Sequence, residues 1–231
     1  MPEEEILEAY EREARRLYLR YAEEFVEGLN LCPWALGARE HERTRVIIVA
    51  KKEPSPEDAL AAAEEISADE SLEVGLIVFP RLSLDRLAFE RFVARLRELD
   101  AARYGIDGPA MAMAAFHPEA EARLGNAYQL VPFIRRSPDP TIQLVRRSSL
   151  DALRKNHTEG TAWVDLSKVS VEELLKASKK KKPPLHERIA ENNREQLEGY
   201  GIARAEEILL AIHEDRDLSY RAIEERFRSR E

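Results

Sequence analysis

Apolar residues recur every three or four positions from the start of the chain: Ile6, Leu7, Tyr10, Ala14, Leu17, Tyr18, Tyr21, Phe25 and Leu29. That period predicts one long amphipathic helix over residues 3–29, closed by Gly28 and Asn30. Four apolar runs of strand length follow, at residues 45–50, 73–79, 110–116 and 141–147. Helical patterns separate them. Pro54-Ser55-Pro56-Glu57-Asp58 reads as a helix start. Ser55 caps the free amides, Pro56 fits the first helical position, and the acids suit the positive end of the dipole. This helix runs to about Ser67. Ser83 is the expected cap of the next, with Leu84, Ala88, Phe92, Leu96 and Leu99 on one face. The third strand is rich in alanine (Ala110, Ala112, Ala114, Ala115), which predicts close packing against a helix. Alternating strands and helices imply crossovers and a parallel core. The expected fold is α/β (or α+β), with a mostly parallel small sheet of about four strands packed with helices, plus a C-terminal helical segment.

Residues 117–140 read mostly as loop, with one short helix near 119–124. A loop this long in a compact domain is more often functional than idle. Beyond residue 160 the character shifts. A short strand is expected at 163–166, and Ser170-Val171-Glu172-Glu173 is a capping box. Lys179 to Lys182 and Pro183-Pro184 then break the chain. Three helices are expected near 186–198, 203–213 and 219–229. This divides the chain into an α/β core with a long N-terminal helix, 1–160, and a mainly helical extension packing on it, 161–231.

Composition narrows the function classes. A chain of 231 residues, 44% of them hydrophobic, has enough apolar surface for a core without a disulfide or metal. The net charge of −8 argues against general nucleic-acid binding. One cysteine excludes an internal disulfide and a cysteine-rich zinc site. No window approaches the roughly 20 apolar residues of a membrane span. The acidic start, Met-Pro-Glu-Glu-Glu, lacks the pattern of a secretory signal. A soluble, cytoplasmic protein with a reduced thiol is expected. His41, His157, His186 and His213 are scattered, so no metal site is expected. There is no dinucleotide or Walker A glycine pattern and no nucleophile elbow, and the sequence names no cofactor.

Three constellations carry candidate chemistry. Asn30-Leu31-Cys32-Pro33-Trp34-Ala35 places the only thiol in a loop after the long helix. Its reactivity depends on a lowered pKa, which a helix C-terminus opposes and a nearby Arg or protonated His favours. A free cysteine is otherwise a small buried hydrophobe. His117 stands at the carboxyl end of the third strand, where open α/β sheets bind ligands, and suits acid–base work. Arg135, Arg136 and Ser137 share a proline-braced loop that suits a carboxylate or phosphate. Arg146 and Arg147 point to opposite faces of the following strand, so at most one serves the same site; Arg146 is the favoured one. Asn193, on a helix with Asn192 and Arg194, is a further ligand-binding candidate, as is Asn30.

These motifs together resemble a bacterial family of conserved proteins known as a domain of unknown function. The resemblance rests on Gly28 to Ala35, on Phe116-His117-Pro118, on Arg136-Ser137-Pro138-Asp139-Pro140-Thr141 with Arg146, and on Ile189 to Arg194. Two positions depart from it: Trp34 stands where Phe is common, and Asp139 where an aromatic residue is common. The resemblance implies a shared architecture and a shared site, and no reaction.

Two functional classes follow. The first is an enzyme or small-molecule binder, its pocket formed by Arg135 or Arg136 with Ser137, with His117 as acid–base group and Cys32 as nucleophile. An anionic small molecule is the expected partner. The second is a protein-interaction module whose motifs lock the fold. Convergence of Cys32, His117 and the arginine loop in one pocket favours the first; dispersal favours the second.

Overall fold

The protein's computed structural model describes residues 2–32, 35–105, 108–121, 125–155 and 184–228. The expected strand at 163–166, the helix after Ser170 and the lysine run lie outside them, as do Pro33 and Trp34. In chain order the elements are α1 (Pro2–Arg20), a π-helical continuation (Tyr21–Glu27), α2 (Ala35–Glu40) and β1 (Thr44–Ile48). Then come α3 (Pro56–Ala68), β2 (Val74–Val78), α4 (Arg86–Ala101), β3 (Met111–Phe116) and α5 (Ala127–Ile134). β4 (Thr141–Arg146), α6 (Arg147–Lys155), α7 (Leu185–Tyr200) and α8 (Ile202–Arg228) complete the set.

The four strands form one sheet in the order β1-β2-β4-β3. β1 and β2 pair in parallel, and β4 pairs antiparallel with β2 and with β3. The crossover strands β1, β2 and β3 therefore run one way, as the alternating pattern requires. β4 enters the gap between β2 and β3 in the opposite sense. The sheet is mixed, and its antiparallel member is the one that follows the long 117–140 connection.

Strand alternation gives the sheet two faces. On the first, Ile77, Phe79, Ile142 and Leu144 pack against Ala59, Ala63 and Ile66 of α3 and Phe89, Val93 and Leu96 of α4. Gly75 is required here, because a Cβ would stand 2.4 Å from Cγ2 of Ile66. Ser55 caps α3 in a reciprocal box with Asp58. α4 starts later than expected, capped by Asp85 rather than Ser83. On the second face, Tyr21, Phe25, Leu29, Phe116, Leu130, Phe133, Leu197, Leu209 and Ile212 bury one another, joining the π segment, α5, α7 and α8.

α5 and α8 also differ from expectation. α5 lies at Ala127–Ile134, capped by Asn126, and described residues 119–121 carry no helix. α8 is one helix of 27 residues where two were expected. The polar stretch at 213–219 contains no Gly or Pro, and its charges are answered from elsewhere. Arg16 of α1 donates twice to the Asp215 carboxylate, at 2.7 and 2.8 Å, and Arg20 once, at 2.6 Å. These pairs hold the Asp215 carboxyl well below the usual range.

The loop before β4 is fixed from both sides. Ser137 Oγ and Thr141 Oγ1 both donate to the Asp139 carbonyl, at 2.6 and 2.9 Å. The fully buried Asp139 carboxylate accepts from Arg216 Nε (2.9 Å) and Tyr220 Oη (2.7 Å) of α8. An acid is thus fixed inside this loop, and α8 supplies its partners.

Candidate functional site

The second face of the sheet is not completely filled. A cavity of about 670 Å³ lies over it. That volume falls within the range of small-molecule sites. Thr44, Val46, Val74, Leu76, Val145, Ala112 and Ala114 form its floor. Tyr18, Ala22 and Val26 wall it from the N-terminal helix, Val131 and Ile134 from α5, and Ile189 and Ala190 from α7. The alanines of β3 do not serve as a seat for a helix on this face. Ala112 and Ala114 point at the cavity and leave room in it. The wall they face includes seven consecutive π-helical residues, Tyr21–Glu27. Such segments are rare and occur frequently at functional sites.

Polar groups enter this apolar space at few points. Arg135 caps the C-terminal end of α5. Its carbonyl accepts from the His117 N–H at 2.9 Å, and its guanidinium lies 5.6 Å from the centroid of the Phe116 ring. No described carboxylate, carbonyl or hydroxyl accepts from that guanidinium. Burial lowers its pKa, and the neighbouring Arg97 adds to the effect against the pull of Tyr21. Arg135 is half-buried, so part of its hydration is lost, and among the described residues no counter-ion replaces it where it lines the cavity. At the rim, by contrast, Arg39 is neutralised by Glu27 through two bonds of 2.9 and 2.7 Å.

Asn193 is the second uncommitted group. It is 5% exposed, on the face of α7 that also carries the buried Ala190 and Leu197. Its Oδ1 has no hydrogen-bond partner among the described residues. Gln143 is the third. It sits mid-strand on the cavity face of β4, opposite Ala114 and Leu76, and no side-chain hydrogen bond of its amide is present among the described residues. Thr44, Tyr128, Thr141 and His186 add further polar groups to the lining, as do Tyr18 and Tyr21. Burial raises both phenols, and Tyr21 Oη donates to the Ile134 carbonyl.

The expected site residues separate into two groups. Cys32, Arg135, Ser137 and Asn193 all line the cavity. Cys32 is half-buried and Ser137 fully buried, its hydroxyl already engaged by Asp139. The other four stand elsewhere. His117 points to the opposite face of the sheet, its ring 5.8 Å from that of Phe89. Its Nε2 donates to the Leu84 carbonyl at 3.0 Å and its Nδ1 accepts from the Glu119 N–H at 3.2 Å. Arg136 donates to the Ala120 carbonyl and pairs with Glu206. Arg146 binds the Leu72, Ser67 and Asp69 carbonyls beyond the end of α3. Asn30 is exposed and takes a left-handed turn, φ 51°, after the π segment.

Sequence reasoning missed Gln143, Tyr18 and Tyr21. Gln143 carries a signal: it is a polar residue in the middle of an apolar strand, on the face of Thr141 and Val145. The tyrosines carry none, because they continue the apolar stripe of α1.

A family model described as "Protein of unknown function (DUF1415)" matches residues 13–182. The chain belongs to this family. No curated protein and no solved structure gave a significant match. The part of the chain matched to DUF1415 holds the sheet, Cys32, Arg135 and Gln143, whereas α7, which brings Asn193 to the cavity, follows it. Among the described residues of this DUF1415 member, no three His, Cys, Asp or Glu side chains cluster as metal ligands. No described helix is long and apolar enough to cross a membrane.

Proposed function

We propose that this protein binds a small molecule with an apolar body and an anionic group, held in the cavity over the second face of the sheet. The observation that carries this reading is the Arg135 guanidinium, half-buried on the cavity wall with no described acceptor. An anionic group supplies the missing counter-charge through charge-assisted hydrogen bonds. The apolar floor of Val46, Val74, Leu76 and Val145 takes the rest of the ligand. Acid–base catalysis by His117 is no part of the proposal, because both its ring nitrogens are occupied by backbone on the far face.

Straight-chain carboxylates from hexanoate to hexadecanoate test this by calorimetry and thermal melts. A member of the series is expected to bind and raise the melting temperature. Saturation at a hundred times Kd adds about 2.7 kcal/mol to stability. Ala112→Phe, which fills the floor, is expected to abolish the binding while the fold persists. Absence of binding across the series, or binding that ignores Ala112→Phe, overturns the proposal.

Cys32 reports on the same space. It is the only thiol, and it lines the cavity half-buried. N-ethylmaleimide is expected to label it more slowly in the native protein than in urea. A bound carboxylate should slow it severalfold further, as followed by intact mass. Equal native rates with and without the carboxylate would mean that the ligand does not reach this wall.

A further inference from the structure

Arg135, Gln143 and Asn193 each turn to the cavity a polar group that no described residue engages, and they are not all of one kind. Arg135 asks for an anion. Asn193 Oδ1, buried and without a partner among the described residues, asks for a hydrogen-bond donor. The Gln143 amide offers both a donor and an acceptor. A plain fatty carboxylate satisfies the first and leaves the other two facing hydrocarbon, which is costly for a buried amide.

The placement of the three groups narrows the ligand further. Arg135 lies over Phe116, whose partner across the ladder is Thr141. Gln143 is the next residue on the same face of β4, roughly 7 Å along the strand. The second polar group of the ligand therefore follows closely on the anion. Gln143 stands on the sheet and Asn193 on a helix, so that group must reach two different walls. A secondary amide does this, because its N–H and C=O point in opposite directions from a planar unit. Its N–H suits Asn193 Oδ1, and its C=O suits the Gln143 amino group. Beyond Gln143 the strand continues to Val145, between Ala112 and Val74, while Leu76 and Val46 extend the row of Gln143 across the floor. That end suits an acyl chain.

We infer that the ligand is an N-acylated amino acid: a carboxylate on Arg135, an amide between Asn193 and Gln143, and an acyl chain over the floor from Val145 to Val46. This deepens the proposal that the cavity binds an apolar anion, and rests on it.

The test compares N-dodecanoylglycine with pentadecanoate, which has the same number of chain atoms but no amide. Both are titrated by calorimetry below their aggregation concentrations. N-dodecanoylglycine is expected to bind about tenfold more tightly, although pentadecanoate is the more apolar. In Asn193→Leu the preference should disappear. The same variant should melt higher without ligand, since an unsatisfied buried amide has been removed. That gain also shows that the variant folds. If pentadecanoate binds as tightly or more tightly to the natural protein, the amide assignment falls and anion binding stands. If the preference survives in Asn193→Leu, the inference is equally overturned. If neither compound binds, the underlying proposal fails with it.

Discussion

Replacing Arg216 with Met is expected to destabilise the protein by about 3–5 kcal/mol, the cost of breaking a buried ion pair by removing one partner. The Asp139 carboxylate is fully buried, and its acceptor atoms are answered by Arg216 Nε and Tyr220 Oη alone among the described side chains. Removing the guanidinium leaves a carboxylate in the core with a single phenol. Met keeps most of the aliphatic stem but not the guanidinium carbon, which lies 5.2 Å from the Tyr220 ring centroid, so the loss reads the charge and its ring contact more than volume. The effect has a sign in pH. Burial pushes the Asp139 carboxyl up, while Arg216 and Tyr220 oppose that push. Without Arg216 the folded-state pKa rises further. A group whose pKa is higher folded than unfolded binds its proton more tightly in the native state. Stability then falls as pH rises through the window above the unfolded carboxylate value of about 3.9. The penalty in Arg216→Met is therefore expected to be smaller at pH 5 than at pH 8. Urea melts of both proteins at the two pH values measure it. A penalty under about 1 kcal/mol, or one that grows on acidification, would show that Asp139 does not depend on this partner.

Replacing Arg135 with Met is expected to act oppositely on binding and on stability. Binding of a carboxylate in the cavity should weaken by roughly 30- to 150-fold, or about 2–3 kcal/mol, the worth of hydrogen bonds to a charged group. Stability without ligand should stay level or rise, because the guanidinium has no described acceptor and burial already lowers its pKa. Met retains an unbranched stem, while the guanidinium carbon that lies 5.6 Å from the Phe116 ring centroid is lost. A binding residue that costs the folded state stability is a common arrangement at functional sites. Calorimetric titration paired with urea melts separates the two effects. Unchanged affinity would mean that the cavity does not read charge; a large loss of stability would mean that Arg135 is structural.

Much of the fold was legible because the hydrophobic period was clean. Every strand begins and ends within two residues of its apolar run, and the box at Ser55 and Asp58 forms as written. The direction of β4 was not legible, since the 117–140 connection is long enough to bring it back either way. The continuity of α8 was not legible either, because its polar middle is stabilised by Arg16 and Arg20 from the other end of the chain. For the site, alternation along the strands held more information than residue type. Phe116 faces the cavity, so His117 must face away. Thr141, Gln143 and Val145 face the cavity, so Arg146 must face α3. The same alternation singles out Gln143. Asn193 was legible as a polar residue on the apolar stripe of α7. Arg135 and Arg136 are equivalent in sequence; only the end of α5 decides which of them turns toward the cavity.

The sheet order also sets how this chain must come together as it is made. β1, α3 and β2 can close on one another as soon as they emerge, because β1 and β2 are neighbours in the ladder. β3 cannot follow in turn. Its only neighbour among the described strands is β4, which is synthesised after it and must insert between two strands already present. The sheet is thus completed from the inside, by its latest strand, and both exposed ladder edges of β2 and β3 wait for the same six residues. Until then these edges are open to pairing with another chain, the interval in which misassembly competes with folding. Once β4 is seated, the loop before it presents Asp139 to α8, so the closing of the sheet and the docking of the last helix become one event.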